Sequence, residues 1–408
     1  MGQLWRLLTP MLAVCSKPCV AGGTGLPKVV RRGLAFRSLL YAVVLVLVLA
    51  APMRGLVWAA PKPPTITANS AVLVDVETGQ ILYDKHGCEP RHPASTTKLM
   101  TAILVVERGN LADLVTVSQR ACSEIGSTLG LRPGDVLTLG ELLRALLTIS
   151  ANDAATAIAE HMAGSVGEFA SWMNERAIEL GALDTYFVNP HGQTSPIHKS
   201  TAKDLAIIAR AALADPLISE IVATRETIVT WEKPAKELKV NNTNRLLSSY
   251  EGADGVKTGT TTAAGDCLVA SATREGRQLM TVVLHSDSRY SDSVRLLDFG
   301  FGSFVFLDAA RRGLPLAQIG IINGQIDQLD VVPVSDLTVI MPKSDQTLST
   351  LLELPEQLTA PIHRGDLLGR VVVLQGDHQV AETQLVAAMD CPRATFWWRI
   401  GQWWQGLW

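Results

Sequence analysis

The chain has 408 residues, a formal net charge of −3 and 47% hydrophobic residues. That length predicts two or three structural units, with ample apolar material for a packed core. The near-neutral charge balance lacks the concentrated positive field that nucleic-acid binding needs, so no nucleic acid is expected as a partner.

Near the N-terminus, Lys28, Arg31, Arg32 and Arg37 precede an apolar run from Leu39 to Pro52, and small residues follow at Ala59 and Ala60. Basic, then apolar, then small is the order of an export signal, with cleavage expected near Ala59 or Ala60. The alternative is a retained anchor, but the run is shorter than the ~20 apolar residues of a spanning helix. The stretch ahead of Lys28 is long for a signal, which points to a start downstream of Met1. Residues 1–60 are therefore read as a signal with an upstream extension.

Ala71 to Val76 and Ile81 to Tyr83 are strand-like and flank the turn Glu77-Thr-Gly-Gln80, which predicts a β-hairpin. A helix is expected from Ser95, continuing through the apolar Leu99 to Val106. Further helices are expected over Leu139–Leu147, Ala154–Met162, Ser165–Leu180 (closed by Gly181) and Thr201–Ala214. The pattern then turns to strands at Glu226–Trp231, Gly255–Gly259, Cys267–Ala272 and Leu279–Leu284, and closes with a helix over Val294–Phe301. Strands at both ends with helices between them predict an α+β fold, an antiparallel sheet built from both termini and covered by a helical lobe. This unit spans 65–310.

Val331–Ile340 and Leu367–Leu374 are strand-like, so 311–389 is read as a small β-rich domain. Residues 390–408 form a tail holding five of the nine tryptophans. Phe396, Ile400, Trp403, Trp404, Leu407 and Trp408 share one face at helical spacing, opposite Arg399, Gln402 and Gln405. Tryptophan favours the membrane–water interface, so the expectation is an amphipathic helix on a membrane surface. The alternative is a tail that docks on the protein itself. Cys88, Cys122, Cys267 and Cys391 are far apart with no C-x-x-C spacing, which argues against zinc and for packing roles. One disulfide stays open in an oxidising compartment.

Three short motifs carry chemistry. In Ser95-Thr-Thr-Lys98, residues three apart on a helical turn share a face, so the lysine amine can reach the serine hydroxyl. A serine needs a base to become nucleophilic, and a lysine serves only if burial and nearby positive charge lower its pKa. The apolar helix supplies burial and its N-terminus supplies positive potential. Alone the motif is weak, because Ser200-Thr-Ala-Lys203 has the same form. Ser150-Ala-Asn152 lies between two helices, where the hydroxyl can pass a proton and the amide can bind a peptide group; helix capping is the plain alternative. Lys257-Thr258-Gly259, followed by Thr260, sits on a strand and offers a cation, a hydroxyl donor and close backbone approach.

S-x-N and K-T-G each occur only once, and the three motifs follow one chain order, which removes Ser200 from contention because it lies beyond Ser150. That set resembles the S-x-x-K, S-D-N and K-T-G motifs of class A β-lactamases and penicillin-binding proteins, with Ala151 departing from the S-D-N of the lactamases. Ser150-Ala-Asn-Asp-Ala-Ala155, Asn189-Pro-His-Gly192, His198 with Ser200–Leu205, and Asn244-Arg-Leu-Leu247 ahead of Asp254–Gly259 resemble further segments of the low-molecular-mass D-alanyl-D-alanine carboxypeptidases. Gln193 stands where that family often has leucine.

The resemblance implies that Ser95 is the acyl-ester nucleophile, Lys98 its proton acceptor and Ser150, with Lys257, a proton relay. It implies that Asn152, Lys257, Thr258, Gly259, Thr260 and Arg289 bind substrate, with the N–H groups of Ser95 and Thr260 holding the oxyanion at about 3 kcal/mol each. For Arg289 a surface ion pair is the alternative. The implied substrates are peptidoglycan stem peptides ending in D-Ala-D-Ala, with β-lactams as covalent inhibitors, no metal or organic cofactor, and a location on the outer face of a bacterial membrane. Three rivals have discriminating features. A class A β-lactamase would need a deacylating glutamate, usually in a Glu-x-x-Leu-Asn context, which is missing. A Ser-His-Asp hydrolase built on an α/β-hydrolase elbow would need G-x-S-x-G, also missing. A catalytically silent wall-binding protein would not need Ser95, Lys98, Ser150 and Lys257 intact.

Overall fold

β-Branched and aliphatic residues at the two ends of the segment Ser70–Ser286 meet in one five-stranded antiparallel sheet. The computed structural model describes residues 62–343 and 348–398. The expected signal with its cleavage near Ala59 or Ala60, and the tail beyond Trp398, lie outside the described residues. Among the described residues, no helix is long and apolar enough to cross a membrane.

The sheet runs β2 (Ile81–Lys85), β1 (Ser70–Asp75), β5 (Arg277–Ser286), β4 (Gly265–Arg274), β3 (Ala253–Thr261). The N-terminal hairpin is thus stitched to the later strands, with Val72 opposite Val282 and Gly259 opposite Cys267. Period-2 alternation sends Val72, Val74 and Val282 to one face, and Ala71, Leu73 and Val283 to the other. Both faces are covered, which is why β1, β4 and β5 read as nearly continuous apolar runs.

On the first face lies the helical lobe: α1 (Lys98–Arg108), α2 (Leu139–Thr148), α3 (Asn152–Ala163), α4 (Val166–Leu180), α5 (Ala202–Leu213) and α6 (Pro216–Ala223). α1 is buried from Lys98 to Val105, as expected for a helix apolar nearly all round. Thr138, Ser165, Thr201 and Asp215 cap α2, α4, α5 and α6 by accepting N–H bonds of the first turn. Gly181 ends α4 in the left-handed region at φ 88°, where a side chain would be strained. The other face is covered by α7 (Arg289–Ser303), through Leu296 and Leu297.

Eight strands follow: β6 (Phe304–Ala310), β7 (Ala317–Ile322), β8 (Gln328–Pro333), β9 (Leu337–Pro342), β10 (Leu348–Glu353), β11 (Gln357–Thr359), β12 (Leu367–Gln375) and β13 (His378–Ala387). They form a six-stranded sheet in the order β10-β12-β13-β8-β7-β11 and a β6–β9 pair. The sequence expectation of one strand-like stretch over Val331–Ile340 is corrected here. Pro333 lacks an N–H, and Val334-Ser-Asp336 turns the chain, so β8 and β9 pair in different sheets. Arg277 of β5 joins the two parts: its guanidinium lies 3.6 Å from Asp75, 2.9 Å from Glu77 and 3.7 Å from Asp308, over the ring of Phe306.

Asp292 of α7 pins the segment ahead of β1. Its fully buried carboxylate accepts from the Thr67 N–H and hydroxyl, the Ala68 N–H and the Ser286 hydroxyl. Burial pushes its pKa up, but these bonds together hold it below the ordinary aspartate value. The stabilisation is therefore present above the ordinary carboxylate range and is lost as pH falls through the depressed folded value. Asp292→Ala strands several buried donors, and is expected to cost about 3 kcal/mol, read as a lower urea midpoint at pH 7. The gap between variant and parent should shrink as pH falls through that depressed value.

Candidate active site

The site forms where α1 and α3 of the lobe meet strand β3 of the sheet. Residues Ala94–Thr97 form a 3-10 turn that leads directly into α1. A 3-10 turn has three residues per turn, so it stacks Lys98 over Ser95 more directly than an α-helix would. This refines the expected α-helix from Ser95. Lys98 Nζ lies 3.0 Å from Ser95 Oγ. Ser95 is the second residue of the turn, so its N–H belongs to the donors that have no partner inside it.

Lys98 is fully buried. Its Nζ also lies 2.7 Å from Asn152 Oδ1 and 2.9 Å from the backbone carbonyl of His191. Burial, and then the charge of Lys257, push its pKa well below that of an ordinary lysine, against the opposing pull of Asp153 and Glu124. The His191 carbonyl is held in reach because Thr101, one turn along α1, donates to the carbonyl of Pro190 at 2.6 Å.

Ser150 connects α2 to α3 in the left-handed region, at φ 66°. That conformation costs a non-glycine residue on the order of 1–3 kcal/mol. Among the described residues its hydroxyl makes no hydrogen bond, and the residue is 4% exposed. Asn152 opens α3, and its amide is used at both ends: Oδ1 faces Lys98, and Nδ2 donates to the carbonyl of Ile125 at 2.6 Å. One Nδ2 hydrogen stays free for a ligand. Asp153 next to it accepts from the N–H groups of Leu129, Gly130 and Leu131, which fixes the loop bordering the site.

β3 brings Lys257, Thr258, Gly259 and Thr260 alongside the Ser95 turn. A Cβ at Gly259 would lie 2.8 Å from the Ser95 nitrogen and 3.1 Å from Ala94 Cβ. The glycine therefore lets the strand pack against the Ser95 turn itself, a tighter demand than substrate access alone. Lys257 is buried, and its pKa is pushed down to about 7 by burial and by the charge of Arg289. The Thr258 hydroxyl meets that of Thr243 at 2.8 Å. Arg289, first residue of α7, donates to the carbonyl of Gly259 at 3.0 Å and to the Thr260 hydroxyl at 2.7 Å, and lies 3.4 Å from Asp266. It borders the site and also has an ion pair, so its position does not separate the two expectations for it.

The twin motif is sorted by its partners. The Ser200 hydroxyl meets the Thr185 hydroxyl at 2.8 Å, while Lys203 lies 2.7 Å from Asp84, whose carboxylate raises the lysine pKa. A lysine held charged cannot act as a base. Neither His191 nor His198 hydrogen-bonds to Ser95. His198 Nδ1 accepts from the Val188 N–H at 3.2 Å, so its Nε2 carries the proton and donates to Thr97 at 2.9 Å. Burial pushes its pKa down to about 3, so it is a neutral structural group.

Sequence reasoning missed three groups here: the His191 carbonyl, Asp153 and Glu124. A carbonyl acceptor has no side-chain signature. Asp153 reads as part of the S-x-N segment, without a role of its own. Glu124 lies 3.4 Å from His191 Nε2, in a loop with no motif.

Residues 58–288 match the family model described as D-alanyl-D-alanine carboxypeptidase, and residues 309–393 match that described as penicillin-binding protein 5, C-terminal domain. The D-alanyl-D-alanine carboxypeptidase DacF of Bacillus subtilis is 33% identical over 339 residues, 81% of this chain and 87% of the relative. The crystal structure of penicillin-binding protein 5 from Haemophilus influenzae superposes with a TM-score of 0.70 at 30% identity, covering 81% of this chain and 99% of that one. A mutant DD-transpeptidase of Streptomyces K15 covers 59% of this chain and 99% of its own, with a TM-score of 0.57 at 34% identity. With a family model matched over more than half its length and a lysine amine buried against the serine of its first motif, the chain belongs to the D-alanyl-D-alanine carboxypeptidase family.

Proposed function

We propose that this chain removes the terminal D-alanine from peptidoglycan stem peptides through an acyl-Ser95 intermediate, and that β-lactams acylate the same serine. The observation that carries the reading is the partner set of Lys98. A neutral amine has two N–H donors and one lone pair. Asn152 Oδ1 and the His191 carbonyl can only accept, so they take both donors. The lone pair is then left for the proton of the third neighbour, the Ser95 hydroxyl, at 3.0 Å.

In this reading Lys98 takes that proton as Ser95 Oγ attacks the carbonyl carbon of the D-Ala-D-Ala bond. The N–H groups of Ser95 and Thr260 hold the oxyanion. The unengaged Ser150 hydroxyl, with Lys257, passes a proton to the departing amine of D-alanine. The C–N bond breaks, the acyl group stays on Ser95, and water later releases the shortened peptide. Lys257, Thr258, Thr260 and Arg289 supply the positive charge and donors that a terminal carboxylate requires, and the free N–H of Asn152 positions the peptide. Residues 65–310 are the catalytic domain and 311–389 a β-rich domain beyond it. The signal and the Trp-rich tail, 390–408, support export and attachment to the outer face of the cytoplasmic membrane of a bacterium.

Ser95→Ala is expected to lower D-alanine release from a synthetic pentapeptide by at least about a thousandfold, and to abolish covalent labelling by a fluorescent penicillin. Retained labelling would place the nucleophile elsewhere.

The two lysines also predict a bell-shaped pH profile for kcat/KM. Lys98 must be neutral, so the rate rises with pH through its depressed pKa. Lys257 must be charged, so the rate falls as it loses its proton, at about 7 in the free enzyme. A bound carboxylate favours the Lys257 ammonium, so the falling limb of kcat should lie at higher pH than that of kcat/KM. Coincident falling limbs would show that Lys257 does not meet the carboxylate.

A further inference from the structure

Both lysines of the site are accounted for by motifs, but the geometry that aims Lys98 depends on a carboxylate outside every motif. Glu124 stands between the Gln119–Cys122 helix and Ile125, with its side chain 15% exposed. Its Oε1 accepts from the Thr156 hydroxyl on α3 at 2.8 Å. Its Oε2 accepts from Gln193 Nε2 at 3.2 Å and lies 3.4 Å from His191 Nε2. One carboxylate thereby ties together three separate chain segments: the 123–127 loop, the first turns of α3, and the 189–193 loop.

Each of those segments presents one of the atoms that aim Lys98. The 189–193 loop carries the His191 carbonyl that accepts from Nζ. α3 carries Asn152, whose Oδ1 accepts from Nζ. The 123–127 loop carries the Ile125 carbonyl, which fixes the other end of the Asn152 amide, and the Ser127 carbonyl, which accepts the Asn152 N–H at 2.7 Å. We propose that Glu124 is a positioning residue for Lys98, clamping the two acceptors that hold its amine in line with Ser95. The inference rests on the assignment of Lys98 as the base.

The histidine ring is oriented to serve this clamp. His191 Nδ1 accepts from the Gln193 N–H at 3.2 Å, so the remaining N–H is on Nε2 and faces Glu124. Burial lowers the His191 pKa, with the glutamate pulling the other way, so the pair is a neutral imidazole against a carboxylate. Burial pushes the Glu124 carboxyl up, but His191, Thr156 and Arg120 together hold it below the ordinary glutamate value. Glutamine at 193 fits the same arrangement, because its amide donates to the carboxylate where a leucine could not.

The charged groups facing Lys98 are Lys257, which lowers its pKa, and Asp153 and Glu124, which raise it. Removing the Glu124 charge therefore moves the rising limb of acylation to lower pH, a change that a purely structural role would not produce.

The test measures acylation by a fluorescent penicillin across pH in the parent, Glu124→Ala, Glu124→Gln and Thr156→Val. Glu124→Ala should lower the acylation rate constant on the order of a hundredfold, the scale of a ~1 Å misplacement, with little change in the concentration for half-maximal rate. Glu124→Gln keeps an oxygen for Thr156, so it should recover part of the rate while still showing the acid-shifted limb. Thr156→Val should lose rate without the shift. Parental rates in Glu124→Ala, or an unmoved limb in Glu124→Gln, would overturn the proposal. If Glu124→Ala does not fold, the Glu124→Gln limb decides. A parent protein that fails to acylate would instead count against the assigned function.

Discussion

The structure is organised around an amine kept out of water. Transfer of an ammonium into a protein interior costs on the order of several kcal/mol even after relaxation, and among the described residues Lys98 has no carboxylate in direct contact to offset it. Losing the proton is the cheaper response, and a second cation nearby at Lys257 pushes in the same direction. Much of the fold can be read as the means of keeping that amine dry and aimed. α1 is apolar nearly all round, so it lies in the core and carries Lys98 with it. Thr101 on the same helix anchors the loop whose carbonyl takes one N–H of the amine. Gly259 lets the sheet close over the Ser95 turn from the other side.

In the proposed mechanism the two buried lysines must differ in protonation. Lys98 has two fixed acceptors and a serine, which suits a neutral amine. The Lys257 ammonium donates to the carbonyl of Thr258 at 3.1 Å, and otherwise borders the region where a substrate carboxylate would sit. Charge on one disfavours charge on the other, so the two titrations are linked. Arg289 contributes at one remove. Its charge lowers the pKa of Lys257, while Asp266 moderates the field it casts.

The sequence disclosed the hairpin, the main helices and the order of the three motifs, because each rests on local periodicity or on residue types with few other uses. Their meeting at one place followed from strands at both ends of the segment, which β1 and β5 join as neighbours. What stayed hidden was of two kinds. Backbone acceptors such as the His191 and Ile125 carbonyls leave no mark in a string of side chains. Glu124 acts through three long-range contacts, and its spacing from Thr156, His191 and Gln193 follows no helical or strand period. The strand break at Val334–Asp336 is a different case. Pro333 and the turn residues were visible there, but the β-branched run around them masked the signal.

In the proposed mechanism the repeated tetrapeptide separates a reactive serine from an inert one. Ser95–Lys98 and Ser200–Lys203 have the same spacing, and both lie at the start of a helix. At the first, burial removes water and the two fixed neighbours are acceptors without charge, so the pKa of the amine falls well below that of an ordinary lysine. At the second, the lysine is about a third exposed and lies 2.7 Å from Asp84, so it stays an ammonium while its serine hydrogen-bonds to Thr185. Spacing brings a lysine within reach of a serine in either case. The partner opposite the amine, carboxylate or carbonyl, decides whether it can take a proton. That is why residues outside the motif, His191 through its backbone and Asn152 through its amide, determine the chemistry of Ser95 as much as Lys98 does.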